Sequence, residues 1–256
     1  MRTAGKNKKR IFACTALILA SVVFLAVAGP RLFLLALVKT ESSPTQTPAL
    51  YRVPSERSIS ASPPMEIPAQ NRYHLQNHSF SVSWELTKQF RLPNVRAFVF
   101  EGQRTVLSSF RAETGTLLKA LLGGTAEESR KIRDMLGPEN LQSEFALVDL
   151  CLQITPAGAG LFSSVMDLKR IRMLMIVKSA FPAGSDIYRV RIGSLRGFQF
   201  GKPEIDPNVY VYLYTPEDHL LRLKLIGLTQ TEIDRILASF EPVDVVRAER
   251  GSAISG

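Results

Sequence analysis

Val209-Tyr210-Val211-Tyr212-Leu213-Tyr214 followed by Thr215-Pro216-Glu217-Asp218 and then His219-Leu220-Leu221-Arg222-Leu223-Lys224-Leu225-Ile226-Gly227 is the stretch that decides the fold. Its first six residues alternate aliphatic with tyrosine, so a strand here has one aliphatic face and one aromatic face. The Thr-Pro-Glu-Asp segment turns the chain, and His219 to Ile226 returns as the partner strand until Gly227 ends it. Thr229-Gln230-Thr231-Glu232 then has capping-box form, and Ile233, Ile236, Leu237 and Phe240 make one apolar stripe of a closing helix. A hairpin followed by an amphipathic helix points to a sheet with that helix laid on it.

Working outward, Ile187 to Ile192 and Leu195 to Phe200 read as strands joined at Gly193-Ser194. Phe80-Ser81-Val82-Ser83-Trp84, Val95 to Glu101 and Thr105 to Arg111 read as strands too, the last two joined by Glu101-Gly102-Gln103-Arg104. Between these groups the spacing turns helical. Thr125-Ala126-Glu127-Glu128 opens a helix that Gly137-Pro138 stops. Leu141, Phe145, Val148 and Leu152 line a second, broken by Pro156-Ala157-Gly158-Ala159-Gly160, and Ser164-x-x-Asp167 opens a third. Met173 to Val177 fits a strand as well as a helix end. Hairpin-length connections predict an α+β domain, an antiparallel sheet flanked by helices, over 73–245.

The run from Val209 through Tyr214, the returning strand His219 to Leu225, and Ile233-Asp234-Arg235-Ile236-Leu237-Ala238-Ser239-Phe240 together resemble the end of PsbP/Mog1-like domains. In those domains two long antiparallel strands lead to a last helix with an Ile/Leu-x-Ser-Phe-like ending. Phe80-Ser81-Val82 is similar to their first strand. The resemblance covers about the final 60 residues. It implies an antiparallel sheet between helices and a non-catalytic accessory or assembly role. No functional residue set carries over.

The 256 residues carry a formal charge of +9, and its distribution is uneven. Arg2, Lys6, Lys8, Lys9, Arg10, Arg31 and Lys39 precede the first acid, and without those seven the chain holds 25 basic residues against 23 acidic ones. So balanced a remainder gives no electrostatic reason to expect nucleic acid as a partner. The basic residues 1–10 predict a cytoplasmic segment, and the apolar 11–38 predicts one transmembrane helix with the rest outside. Ala26-Val27-Ala28 also fits a cleaved signal peptide, which would make the product secreted or periplasmic. Leu32 to Val38 favours the uncleaved signal-anchor, because cleavage would leave an apolar N-terminus. A Ser/Thr/Pro-rich stretch over 39–72 predicts a disordered linker, and 246–256 a disordered tail.

Candidate sites are few. The sequence carries no zinc-protease, nucleotide-loop, dinucleotide or serine-elbow motif, so neither a cofactor nor a metal is expected. His74 and His78 are four apart, but no acid or cysteine lies near them. Cys14 and Cys151 sit in the leader and in a predicted helix, and Cys151 reads as a small buried hydrophobe. His219 beside Glu217 and Asp218 is the weak catalytic candidate, since general acid–base chemistry needs such proximity. Tyr210, Tyr212 and Tyr214 are a candidate binding stripe, either covered by a helix or open to a partner. Arg189 and Arg191 share a strand face and form a candidate anion patch. The preferred expectation is a non-enzymatic, membrane-held domain serving an envelope protein partner. The alternatives are an exported hydrolase using His219 and a small-molecule sensor or carrier.

Overall fold

The computed structural model describes residues 28–40, 48–59, 71–75, 78–111, 115–182 and 186–242. In chain order the strands are β1 (Ser55–Ser58), β2 (Arg72–Leu75), β3 (His78–Ser81), β4 (Leu86–Leu92), β5 (Val95–Phe100), β6 (Thr105–Arg111), β7 (Ile187–Ile192), β8 (Leu195–Phe200), β9 (Asn208–Tyr214), β10 (Leu220–Ile226) and β11 (Glu241–Pro242). The helices are α1 (28–40), α2 (Thr116–Leu122), α3 (Ala126–Leu136), α4 (Glu144–Gln153), α5 (Val165–Ser179) and α6 (Gln230–Ala238). The architecture is α+β.

β9 and β10 form the predicted hairpin and sit inside an eight-stranded sheet of order β1-β7-β8-β9-β10-β6-β5-β4. Every pairing in it is antiparallel except one: β1 runs parallel to β7. That corrects the sequence reading twice. The sheet is mixed rather than purely antiparallel, and part of the expected linker is a strand of the domain. Ser55-Glu56-Arg57-Ser58 has no apolar alternation, so periodicity could not show it. Polar bonds hold β1 instead: Glu56 pairs with Arg189, while Arg57 pairs with Asp234 and donates to Gln199 Oε1 at 2.7 Å. Residues 41–47 and 60–70 of the expected linker, and 246–256 of the expected tail, lie outside the described residues.

One face of the large sheet packs on α6 and on a three-stranded sheet of order β11-β3-β2. Val209, Val211 and Leu213 of β9, Leu221, Leu223 and Leu225 of β10, and Ile233, Ile236 and Leu237 of α6 are all buried there. Each such side chain contributes about 1.5–3 kcal/mol on burial. Tyr73 lies edge-on to Phe98 and Phe100 at 5.4 and 5.1 Å, and Phe80 edge-on to Phe98 at 5.6 Å. Phe80 and Ser81 belong to β3 as expected, but the strand begins at His78 and stops before Val82, leaving Trp84 against Phe100 and Arg104. β4 was not legible as a strand, because six of its seven side chains are exposed and its polar residues follow no clean alternation.

On the other face α4, with Leu117 of α2 and Phe181, covers β7, β8 and the ends of β9 and β10 that meet at the turn. The three capping boxes form as predicted, at Thr125, Ser164 and Thr229. Met173 to Val177 is helical, continuing α5. Its period was ambiguous because α5 is buried on two sides: Ile171 and Met175 face α1, whereas Leu174 and Val177 face α3 and α4. α1 lies on α5, with Val38 fully buried and Lys39 Nζ donating to Pro156 O at 3.0 Å. No helix among the described residues is long and apolar enough to cross a membrane, and 1–27, which hold most of the expected span, lie outside them.

Candidate interaction surface

Alternation and register place the tyrosines. Tyr210, Tyr212 and Tyr214 point away from α6, opposite Lys224, Arg222 and Leu220 of β10. Lys224 in turn is opposite Leu107 of β6, Leu107 is opposite Ala97 of β5, and Ala97 opposite Phe90 of β4. Across β8, Tyr210 faces Phe200. One straight row therefore runs Phe200–Tyr210–Lys224–Leu107–Ala97–Phe90. The next row, from Phe198 through Tyr212, Arg222, Ser109 and Val95 to Leu92, runs beside it.

Cover changes along these rows. Phe198 and Phe200 are buried under Phe145 and Phe181, at ring separations of 5.2 and 5.9 Å. At the far end Phe90 is 47% exposed and Leu92 63%. Of the tyrosines, Tyr214 is fully covered, edge-on to Phe145 at 5.7 Å, and burial pushes its phenol well above the usual range. Tyr212 and Tyr210 are half-buried, with Arg222 at 5.1 Å and Lys224 at 5.5 Å from their ring centroids. Lys88 lies 4.8 Å from the Phe90 ring. Cations stacked on rings at exposed sites gain about 0.5–1 kcal/mol. The tyrosine stripe thus divides: one ring is core, and two, half-buried against the Phe181 side of the same cluster, stand at its border with the surface.

Charge follows the same boundary. β4, β5, β6, β9 and β10 carry Lys88, Arg91, Arg96, Arg111, Arg222 and Lys224, and no carboxylate. Among the described residues none of the six enters a salt bridge. The Nε of Arg222 is buried without a hydrogen-bond partner, an uncompensated donor. Lys224 senses Asp206, whose carboxyl is held below its usual range chiefly by hydrogen bonding to Asn208. Sequence reading named Tyr210 and Tyr212 but missed this set. The signal was present as two acid-free strand runs, 86–100 and 220–226.

Arg189 and Arg191 do not form a joint anion site. Arg189 is held by Asp149 of α4, with Nε at 3.0 Å, and by Glu56 of β1, while Arg191 stands exposed. Among the described residues neither acid beside His219 is hydrogen-bonded to its ring, and Glu217 senses it only through space. The Asp218 carboxylate accepts from the backbone N–H groups of Glu144 and Phe145 at 2.5 and 3.2 Å, capping α4 from the hairpin turn. Asp218 adopts φ +65 to do so, a conformation its short polar side chain tolerates. The Glu217 carboxyl is held below its usual range, chiefly by a backbone hydrogen bond. The His219 ring lies edge-on to Phe110 at 5.9 Å. His74 is exposed and His78 buried, so the two share no metal-binding face, and burial lowers the His78 pKa.

A second buried cation escaped the sequence reading. Lys178 on α5 is 3% exposed, and its Nζ donates to Leu50 O, Arg52 O, Leu152 O and Ile154 O at 3.2, 2.5, 2.8 and 2.8 Å. It caps the end of α4 and ties down the segment leading into β1. Burial lowers its pKa to about 8, and also pushes the neighbouring Cys151 thiol up to about 12, which makes that thiol a poor nucleophile. No family model matches this chain, and comparison with curated proteins also finds none that is similar.

Proposed function

We propose that this chain is a membrane-held, extracytoplasmic binding module with no reaction of its own, and that the open half of its main sheet is where it meets its partner. The observation that carries the reading is the concentration of Lys88, Arg111, Arg222 and Lys224, two half-buried tyrosines and the exposed Phe90 and Leu92 on one face of the sheet, most of it beyond the cover of α4. Surfaces rich in aromatic residues and arginine are enriched at protein interfaces. The non-catalytic role implied by the PsbP/Mog1-like resemblance agrees with it.

The address rests on the leader. Positive charge before an apolar run of about 20 residues is read as an export signal whose basic end stays inside. Packing of Leu34, Leu35 and Val38 of α1 against α5 gives those side chains a place in the domain. The span is then left to the apolar residues before α1, which this reading keeps as the anchor. Anchored and cleaved forms both export the domain.

Site-specific photo-crosslinking in intact cells tests the reading. A photoreactive residue at Phe90 is expected to trap a discrete envelope protein, whereas one at Phe162, which is 97% exposed on the helical side, is not. Identical adducts from both positions, or a domain digested only by protease supplied from the cytoplasmic side, would overturn it.

A further inference from the structure

We propose that the open half-sheet docks an extended, acidic segment of a partner protein, added as a strand along the edge of β4. This rests on the binding-surface reading above and names the chemistry of the partner. β4 ends the sheet order, so one side of its backbone has no neighbouring strand among the described residues. Such an edge is a template for an added strand, in which main-chain bonds hold the segment and alternate side chains select it.

Three observations specify the segment. On one face of β4, Lys88, Phe90 and Leu92 recur at every second residue, with Phe90 and Leu92 exposed. A strand alongside places its own alternate side chains next to them, so aliphatic residues fit that face. On the other face Arg91 stands directly opposite Arg96 of β5. Like charges so paired repel, and a carboxylate on an added strand beside Arg91 would relieve that repulsion. Behind the edge, across β5 and β6, Arg222 and Lys224 of β10 add positive potential without reaching the added strand, and no acid lies on any of the five strands to offset it. The complement is a run alternating Glu or Asp with aliphatic residues. Charge on an edge strand also serves to keep copies apart, which is the rival explanation of Lys88 and Arg91.

The test uses the full chain in phosphatidylcholine nanodiscs and three labelled octapeptides: alternating Glu and Val, alternating Lys and Val, and the Glu-Val sequence interrupted by proline. The Glu-Val peptide is expected to bind, the other two to bind at least about tenfold more weakly, and affinity to fall between about 50 and 300 mM salt. Hydrogen exchange is expected to slow in Leu86–Leu92 when the peptide is bound. Arg91→Glu and, independently, Phe90→Ser are expected to weaken binding about tenfold while thermal midpoints stay near the parent value. Equal binding of the acidic and basic peptides, or protection away from β4, overturns the proposal. So does β4 protection only in nanodiscs containing phosphatidylglycerol, which would make the bilayer the occupant. If Phe90 crosslinks a partner while no acidic peptide binds, the surface reading stands and the acidic strand fails. If neither is seen, both fail.

Discussion

The two halves of the main sheet are built from similar residues and treated differently. In β1, β7 and β8 most arginines are tied down: Arg57 to Asp234, and Arg189 to Asp149 and Glu56, while Arg196 lies 4.3 Å from the Phe145 ring and Arg191 stands exposed. The aromatic residues Phe198 and Phe200 there are buried beneath α4 and Phe181. In β10, β6, β5 and β4 the cations enter no salt bridge among the described residues, Arg222, Lys224 and Lys88 lean on rings, and the sheet ends at an exposed edge. A cation paired under a helix holds layers together. One left unpaired beside exposed apolar groups is available to something else.

The comparison breaks most sharply at Gly197 of β8. A Cβ there would lie 1.9 Å from the Tyr212 carbonyl oxygen, a backbone atom that cannot move aside. Gly197→Ala is expected to cost about 3 kcal/mol or more, read as a lowered denaturant midpoint. A small effect would mean that the covered half is looser than its packing.

Lys178→Met comes next, with an expected loss of about 2–4 kcal/mol from carbonyls left without a donor. The pH dependence separates charge from packing. The folded pKa of Lys178, about 8, lies below the unfolded value. Between the two the unfolded chain holds the proton and the folded chain does not, so this group's contribution to stability rises with pH through that window. Its burial penalty is present in full below pH 8. Denaturation at pH 7 and pH 10 should therefore show the parent gaining on Lys178→Met. A parallel pair of curves would place the ammonium's pKa at its ordinary value.

Asp218→Ala removes the cap that the hairpin supplies to α4, for about 1–2 kcal/mol. Slower hydrogen exchange at Glu144 and Phe145 in the parent than in the variant would confirm the cap. The smallest effect is expected in the open half. Phe90→Ser with Leu92→Ser should change stability by no more than about 0.5 kcal/mol, since both side chains are exposed. A loss several times larger would show that they are packed, and would close the surface.

Much of the local structure was legible from residues alone. Gly193 adopts φ +54 at the turn that Gly193-Ser194 suggested, and Thr125, Ser164 and Thr229 cap helices as their spacing implied. What escaped was non-local or polar. β1 carries no periodic apolar signal and is held by ion pairs to residues more than 130 positions away. Lys178 looked like an ordinary residue near a helix end until four carbonyls from two separate segments met around it. His219 drew attention because its neighbours in sequence are acids, yet one of those acids, Asp218, caps α4.

By itself the sequence determined whatever depends on neighbours in the chain: the hairpin, the capping boxes, the helix breaks and the basic leader, because dihedral preference and side-chain period act over a few residues. Only the tertiary structure decided which tyrosines are core and which stand at its border with the surface, and which arginines are paired. Tyr210 and Tyr214 share a strand face and a side chain, and differ only in whether a helix distant in sequence lies over them.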